Sequence, residues 1–172
     1  MSGTIDLAQV LRSANEKYSS NGQFRNWLRQ KNPKETAPVV ETAYRQAASE
    51  IDCTQCGNCC QSLTISPKSK DIKRLSDGLG IDPYEFRIKY LKKDHEGDLV
   101  IKQRPCPFLK DKKCGVYEHR PETCRSYPHM EAEHMASRGW YIVENTLVCP
   151  IVYSTYELLK DFYGYHNALI EK

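Results

Sequence analysis

The chain has 172 residues, the length of one ordinary domain with room for a buried core. Charged residues make up 27% of it, but the net charge is only +3, which excludes the strong positive field typical of a nucleic-acid-binding domain. No stretch approaches the roughly 20 apolar residues of a membrane span. The N-terminal residues lack the basic and apolar regions of a secretory signal, so we expect a cytoplasmic protein with no membrane partner.

The first 50 residues predict helices and contain no cysteine. Thr4 is a candidate cap for a first amphipathic helix, and the residues around Trp27 suggest a second, short one. Asn32-Pro33 is a candidate break, after which Pro38 is expected to begin a third helix that runs toward Ile51. We interpret residues 1–50 as a helical segment that packs on the cysteine-rich remainder, residues 51–172.

Two cap-and-proline pairs predict helices after residue 60. Ser66-Pro67 and Asp82-Pro83 each place a capping side chain before a proline at the first helical position. Gly78 and Gly80 are expected to end the first of these helices. Its basic residues are interpreted as a solvated helix face, and they are Lys68, Lys70, Lys73 and Arg74.

From Asp98 onward, short strands are predicted as well. Residues 99–101 read as a strand, residues 110–113 as the tip of a hairpin, and Pro121 as the start of a turn or short helix. Residues 140–143 resemble another strand, and a helical period after Pro150 predicts a long closing helix. The sequence therefore predicts an α+β fold, a mostly helical single domain with short strands around a cysteine-rich core.

The cysteines are the most informative residues in the chain. Half of them fall within eight residues, and the full set is Cys53, Cys56, Cys59, Cys60, Cys106, Cys114, Cys124 and Cys149. Thiolates two residues apart on a tight turn converge on one point, as a soft metal or an iron–sulfur cluster requires. In a reducing compartment such spacing favours metal binding over disulfides. Because neighbouring side chains project to opposite sides of extended backbone, we expect Cys60 to serve a different centre from Cys53, Cys56 and Cys59.

The order of these motifs resembles a known family. The run Cys53-x2-Cys56-x2-Cys59-Cys60 is followed by Pro105-Cys106-Pro, Cys114-x-Val-Tyr, Arg120-Pro-x2-Cys124-Arg-x-Tyr127-Pro and Cys149-Pro150. In this the chain is similar to the YkgJ-type CxxCxxCC cysteine-cluster proteins, a zinc- or iron-chelating family, and to the cysteine region of the flagellin lysine methylases. The resemblance implies metal or cluster binding by these cysteines and leaves open whether the chain is an enzyme.

Spacing favours one type of centre over another. The C-x2-C-x2-C run is that of bacterial ferredoxins, in which a further cysteine followed by proline completes or exchanges the ligand set. Cys106 and Cys149 are both followed by proline. A mononuclear zinc more often takes two ligands from each of two C-x2-C knuckles, and the sequence has no second knuckle. We therefore expect an iron–sulfur cluster, with [4Fe–4S] favoured and zinc as the alternative.

Arg120, Arg125 and Tyr127 are candidate neighbours of the centre. A guanidinium beside Cys124 would donate to thiolate or sulfide and offset negative charge, or would instead pair with Glu118 or Glu122. Tyr127 would shield the site from water. Two function classes remain open, a redox or metalloenzyme-type protein and a zinc-stabilised module that binds a macromolecule. The partner, a protein or a small molecule, is not identified by the sequence.

Overall fold

The structure, a computed structural model, describes residues 6–130 and 139–165. The predicted α+β class is confirmed, since helices dominate and the strands pair into two small antiparallel sheets. No helix among the described residues combines the length and apolar character needed to cross a membrane.

The elements follow in chain order. The helices are α1 (Leu7–Glu16), α2 (Tyr18–Leu28), α3 (Pro33–Glu50), α4 (Cys53–Cys56), α5 (Asn58–Ser62), α6 (Ser69–Leu79), α7 (Pro83–Tyr90), α8 (Glu122–Ser126), α9 (Tyr141–Thr146) and α10 (Pro150–Phe162). The strands are β1 (Leu91–Lys93), β2 (Leu99–Ile101), β3 (Leu109–Lys110) and β4 (Lys113–Cys114). A turn of 3-10 helix covers Tyr117–His119.

Backbone contacts divide the chain into two compact units. The helical unit comprises the described residues of 1–52 and 128–172, and the cysteine unit comprises residues 53–127. The sequence had grouped the closing helix with the cysteines, but α10 packs along α3 in the helical unit. The reason is the apolar stripe of α10, which is wide enough to need a long helix as its partner. That residues 1–50 pack on the cysteine domain stays a prediction.

The core of the helical unit is aromatic. Phe24 is fully buried, and its ring centre lies 5.7 Å from that of Tyr156 and 4.9 Å from that of Tyr165, both in edge-to-face geometry. Val152 and Leu159 are fully buried on the same helix as Tyr156. Their three- and four-residue spacing confirms the closing helix that the sequence predicted.

A charged network is buried in the same unit. Lys160 is 2% exposed, and its ammonium donates to Asn21 at 2.5 Å and to Glu157 at 2.9 Å. Lys17 also pairs with the Glu157 carboxylate. Burial alone would raise the pKa of Glu157, but the hydrogen bonds from both lysines outweigh it and lower the pKa.

The cysteine unit has its own apolar core between α6, α7 and the two sheets. Its buried members are Ile72, Leu75, Phe86, Leu91, Ile101, Phe108 and Val116. Cys106 and Cys114 pack against this core from outside. In β1–β2, Leu91 pairs with Ile101. The prediction of a strand at residues 99–101 is thus confirmed, and the core gives two of the cysteines a rigid backing.

Several local predictions need correction. The strand predicted at residues 140–143 does not form: Trp140 caps α9 and residues 141–143 are its first residues, because a short β-branched run fits either state and adjacent Ile142 and Val143 are both buried. Helix α3 begins at Pro33 under an Asn32 cap, so Pro38 lies inside it. The predicted Thr4 cap falls outside the described residues, and Asp6 caps α1.

The cap-and-proline pairs behave differently from each other. Asp82 caps α7 as predicted, accepting from the Tyr84 N–H at 2.7 Å. Helix α6 begins at Ser69, so the Ser66-Pro67 prediction was wrong; the Ser66 hydroxyl donates to the Leu99 carbonyl at 3.0 Å. Gly78 lies inside α6, where a Cβ would stand 2.4 Å from the His119 ring, and Gly80 ends the helix at φ 66°.

Candidate metal centre

The cysteine knuckle is two very short helices, α4 and α5, joined at Gly57. That glycine has φ 63°, which L-residues rarely adopt. A Cβ placed there would lie 2.8 Å from the Lys112 carbonyl oxygen and 3.2 Å from the Lys112 Cα. Glycine therefore allows the knuckle to reverse direction and to lie against the backbone of the hairpin tip.

The β3–β4 hairpin forms as the sequence predicted. Leu109 pairs with Cys114 and Lys110 with Lys113, and the two turn residues Asp111 and Lys112 have φ 47° and 64°. Two consecutive residues with positive φ are the pattern of a tight hairpin turn whose twist matches the strands. The hairpin thereby fixes the position of Cys114.

A backbone hydrogen bond joins the hairpin segment to the knuckle. The Cys106 N–H donates to the Cys60 carbonyl at 2.8 Å, and the Cys106 carbonyl accepts from the Leu109 N–H at 3.0 Å. Cys124 enters from α8, where its N–H donates to the Pro121 carbonyl at 3.0 Å. The unit thus brings cysteines from four separate segments to one region.

Electrostatic effects among the thiols identify which cysteines are neighbours. Burial and, after it, the charges of three other cysteines raise the pKa of Cys124 to about 12; those three are Cys60, Cys106 and Cys114. Burial likewise raises the pKa of Cys106, and the charges of Cys60 and Cys114 add to that increase. We call Cys60, Cys106, Cys114 and Cys124 the four-thiol group.

The rest of the knuckle meets this group at Cys60. A hydrogen bond with the Cys59 thiol, followed by burial, raises the pKa of Cys60. Burial also raises the pKa of Cys56, with further contributions from Cys53 and Cys60. Cys53 is exposed at the start of the unit. Cys60 therefore adjoins both the first three cysteines of the knuckle and the three downstream ones.

The eighth cysteine belongs to the helical unit. Cys149 is buried, directly precedes Pro150 at the start of α10, and donates its N–H to the Asn145 carbonyl at 2.8 Å. All eight cysteines lie in the described residues, and the structure joins none of them in a disulfide.

Arg120 and Arg125 have different surroundings. The Arg120 guanidinium lies 3.4 Å from the centre of the Tyr117 ring, and its charge opposes the rise in the pKa of Cys60, Cys114 and Cys124. Arg125 donates instead to the backbone carbonyls of Arg120, at 3.0 Å, and of Glu118. Within the described residues 117–127, both guanidinium groups donate to backbone carbonyls and not to the carboxylates of Glu118 or Glu122. Tyr127 is half-buried just after α8.

Sequence reasoning missed a buried carboxylate beside the centre. Asp71 on α6 is fully buried, and it accepts from Arg74 at 2.7 Å and from the Glu122 N–H at 3.2 Å. Arg74 also donates to the Arg120 carbonyl at 2.6 Å. The sequence predicted a solvated helix face for the basic residues of α6, and for Arg74 that prediction was wrong, because its guanidinium is half-buried and paired with Asp71. Only the position of Asp71 in the first turn of a helix hinted at a capping role.

These residues fit a soft metal or an iron–sulfur cluster. Thiolate sulfur is the donor that zinc and iron–sulfur clusters take from proteins. Burial, and after it the charges of neighbouring thiols, raises the pKa of Cys106, Cys114 and Cys124, which favours their protonated form when no cation is bound. A bound metal reverses this balance and deprotonates its thiols outright. Arg120 supplies one compensating charge beside the group.

The match to a protein family supports the same chemistry. Residues 52–150 match the model of the CxxCxxCC family, described as "Putative zinc- or iron-chelating domain". An uncharacterised protein of Methanocaldococcus jannaschii is 33% identical over 81 residues. That match covers 45% of this chain and 43% of the relative, so the chain matches less than half of the relative's length. No solved structure matches the chain.

Proposed function

The chain belongs to the CxxCxxCC family of zinc- or iron-chelating domains, and on that premise we propose that its cysteines carry iron–sulfur clusters with a redox or metalloenzyme-type role. The observation that carries the proposal is the four-thiol group. Its members come from four segments of one unit, and each lies close enough to the others for their charges to interact. A complete set of four thiolates is what one cluster or one zinc ion takes from a protein.

In this proposal the remaining knuckle cysteines serve a second centre. Cys53, Cys56 and Cys59 have the ferredoxin spacing, in which three ligands of a cubane come from one short loop. Burial and the thiolates of Cys53 and Cys60 raise the pKa of Cys56, consistent with thiols that share a region. Cys149 remains a proposed ligand, and substitution will assign its centre.

Iron–sulfur and zinc differ in what they imply for function. A cluster moves electrons or, with an exchangeable corner, performs chemistry on a bound substrate. A zinc ion closed by four thiolates is structural, which corresponds to a module that binds another macromolecule. The ferredoxin-like spacing favours the cluster. In either case the partner, a protein or a small molecule, is to be identified by experiment.

Anaerobic purification tests the identity of the centre. Two cubanes give about eight iron and eight sulfide per chain, together with a brown colour that bleaches on reduction with dithionite. Zinc without sulfide would instead establish the structural module. Absence of iron, zinc and sulfide would refute metal binding by these cysteines.

Paired serine variants test the division between centres. We expect C124S to lose the metal of the four-thiol group and C53S to lose that of the other centre, each leaving about half of the iron. C149S is measured beside them to assign its thiol. If C53S and C124S each remove all of the metal while circular dichroism shows a folded chain, the chain has a single centre.

A further inference from the structure

The first turn of α6 is attached to the segment that carries Cys124. Asp71 accepts from the Lys68 N–H at 3.0 Å, which is the usual task of a carboxylate at the third position of a helix. Its other oxygen accepts from the Glu122 N–H, which lies 51 residues away in the chain. A capping side chain thus also holds the first residue of α8.

Arg74 makes a second connection to the same segment. One of its guanidinium nitrogens donates both to Asp71 at 2.7 Å and to the Arg120 carbonyl at 2.6 Å. The Arg120 carbonyl also accepts from Arg125 at 3.0 Å. The peptide between Arg120 and Cys124 is therefore held at two points by an ion pair on α6 whose carboxylate is fully buried and whose guanidinium is half-buried.

The two held points lie on either side of Pro121, the residue that precedes α8. Glu122 stands two residues before Cys124, so its position sets where that thiol begins its turn of helix. Arg120 carries the cation that acts on three members of the four-thiol group. Movement of this short segment would displace both a ligand and its compensating charge.

We infer that Asp71 and Arg74 are positioning residues for the metal centre, holding Cys124 and Arg120 in place through the backbone of residues 120–122. The inference rests on the proposed function, because it assigns the orientation of one proposed ligand. Neither residue contacts the metal. Their effect on metal retention is expected to resemble that of outer hydrogen-bond partners in other metal sites, whose loss lowers affinity about 10- to 100-fold.

A single backbone change isolates this contact. Glu122 is exposed and occupies the first helical position after Pro121, where a proline is well tolerated. Pro121 is extended at ψ 155°, as a residue before proline prefers. E122P therefore deletes the N–H that Asp71 accepts while leaving the helix free to form. E122A removes the same side chain but keeps the N–H.

The measurement is retention of the native metal by the anaerobically purified full chain under challenge with excess EDTA. We expect E122P to hold its metal about 10- to 100-fold more weakly than E122A, and the remaining metal to show a shifted absorption or electron paramagnetic resonance spectrum. E122A should stay within about twofold of the wild-type chain. The spectral shift distinguishes displacement of a ligand from a general loss of stability.

Asp71→Asn provides the same test from the acceptor side. The amide keeps the shape of the carboxylate but loses the charge that pairs with Arg74 and turns an N–H toward one of the donors, so D71N should weaken metal retention. D77N is the matched control, since Asp77 pairs with Lys73 on the exposed face of the same helix.

Two outcomes would overturn the inference. If E122P retains metal as well as E122A does, with the same spectrum, the contact does not position the site, and the proposed function stands. If the wild-type chain and E122A both carry no metal, the proposed function fails and this inference fails with it.

Discussion

Replacement of Gly57 by alanine should weaken the centre more than any other single-methyl change in the knuckle. Gly57 lies between Cys56 and Cys59, and its φ of 63° is a conformation that costs an L-residue about 1–2 kcal/mol. The new methyl group would also stand 2.8 Å from the carbonyl oxygen of Lys112. Because the obstacle is backbone, no rotation of a side chain can relieve the contact.

The contact adds to the conformational cost. Overpacking of this kind typically costs about 1–3 kcal/mol. A metal-free knuckle can open to avoid the clash, whereas a bound metal holds the cysteines on both sides of residue 57 in place. We therefore expect the overpacking part to appear in metal affinity, as a loss of about 5- to 150-fold, since each 1.4 kcal/mol is a factor of ten.

Gly80→Ala is the matched control. Gly80 has φ 66°, almost the same as Gly57, but a Cβ there meets nothing within 4 Å. G80A should show the conformational cost alone in chemical denaturation and should bind metal as the wild-type chain does. Equal metal affinities for G57A and G80A would refute the close approach of the knuckle to the hairpin tip.

Three further outcomes are expected. Arg120→Ala should move the midpoint of metal loading to higher pH, because the Arg120 cation lowers the pKa of three thiols that must ionise to bind metal. Arg120→Lys keeps a cation and should preserve the wild-type midpoint. Identical loading curves for Arg120→Ala and the wild-type chain between pH 6 and 9 would contradict this. Arg125→Ala should release metal and reduce stability, because Arg125 donates to backbone carbonyls, and a variant that keeps its metal but loses redox response would contradict this. Glu157→Gln should abolish a stability term that is present above the unfolded pKa of about 4.3 and is lost as pH falls through the lower folded pKa. The free energy of unfolding in urea, compared between pH 3 and pH 6, measures that term. If the variant and the wild-type chain lose the same stability between these pH values, the carboxylate is not paired with Lys17 and Lys160.

Local chemistry explains what could be predicted from the sequence. The Asp82-Pro83 start of α7 and the hairpin tip at residues 110–113 depend on residues adjacent in the chain, and both formed as predicted. The C-x2-C-x2-C run likewise indicated metal chemistry, and membership of a metal-chelating family agrees with it. Assignment of each cysteine to a centre stays a prediction.

Short apolar runs were less informative. Residues 140–143 satisfy a strand pattern, yet residues 141–143 begin a helix, because α9 packs against α2 and α10 and both faces of its middle are covered. Pro38 was expected to start a helix and lies within one, since Asn32 provides the cap earlier. For residues 140–143 the neighbouring elements decided between two states that the local sequence permits, whereas for α3 an earlier cap in the same segment decided where the helix begins.

Only the tertiary structure could reveal the residues around the centre. Asp71 contacts the Glu122 N–H across 51 positions of the chain, and Arg74 contacts the Arg120 carbonyl across 46. Contacts between such distant positions leave no periodic signal in the sequence. A charged run cannot show whether a buried carboxylate lies beneath one of its members. The sequence by itself indicated thiols as the proposed ligands, because cysteines with fixed spacing are a local property. Only the packing of separate segments decided which thiols are neighbours and which charges surround them. Burial and proximity, which set the pKa of each thiol, are properties of that packing.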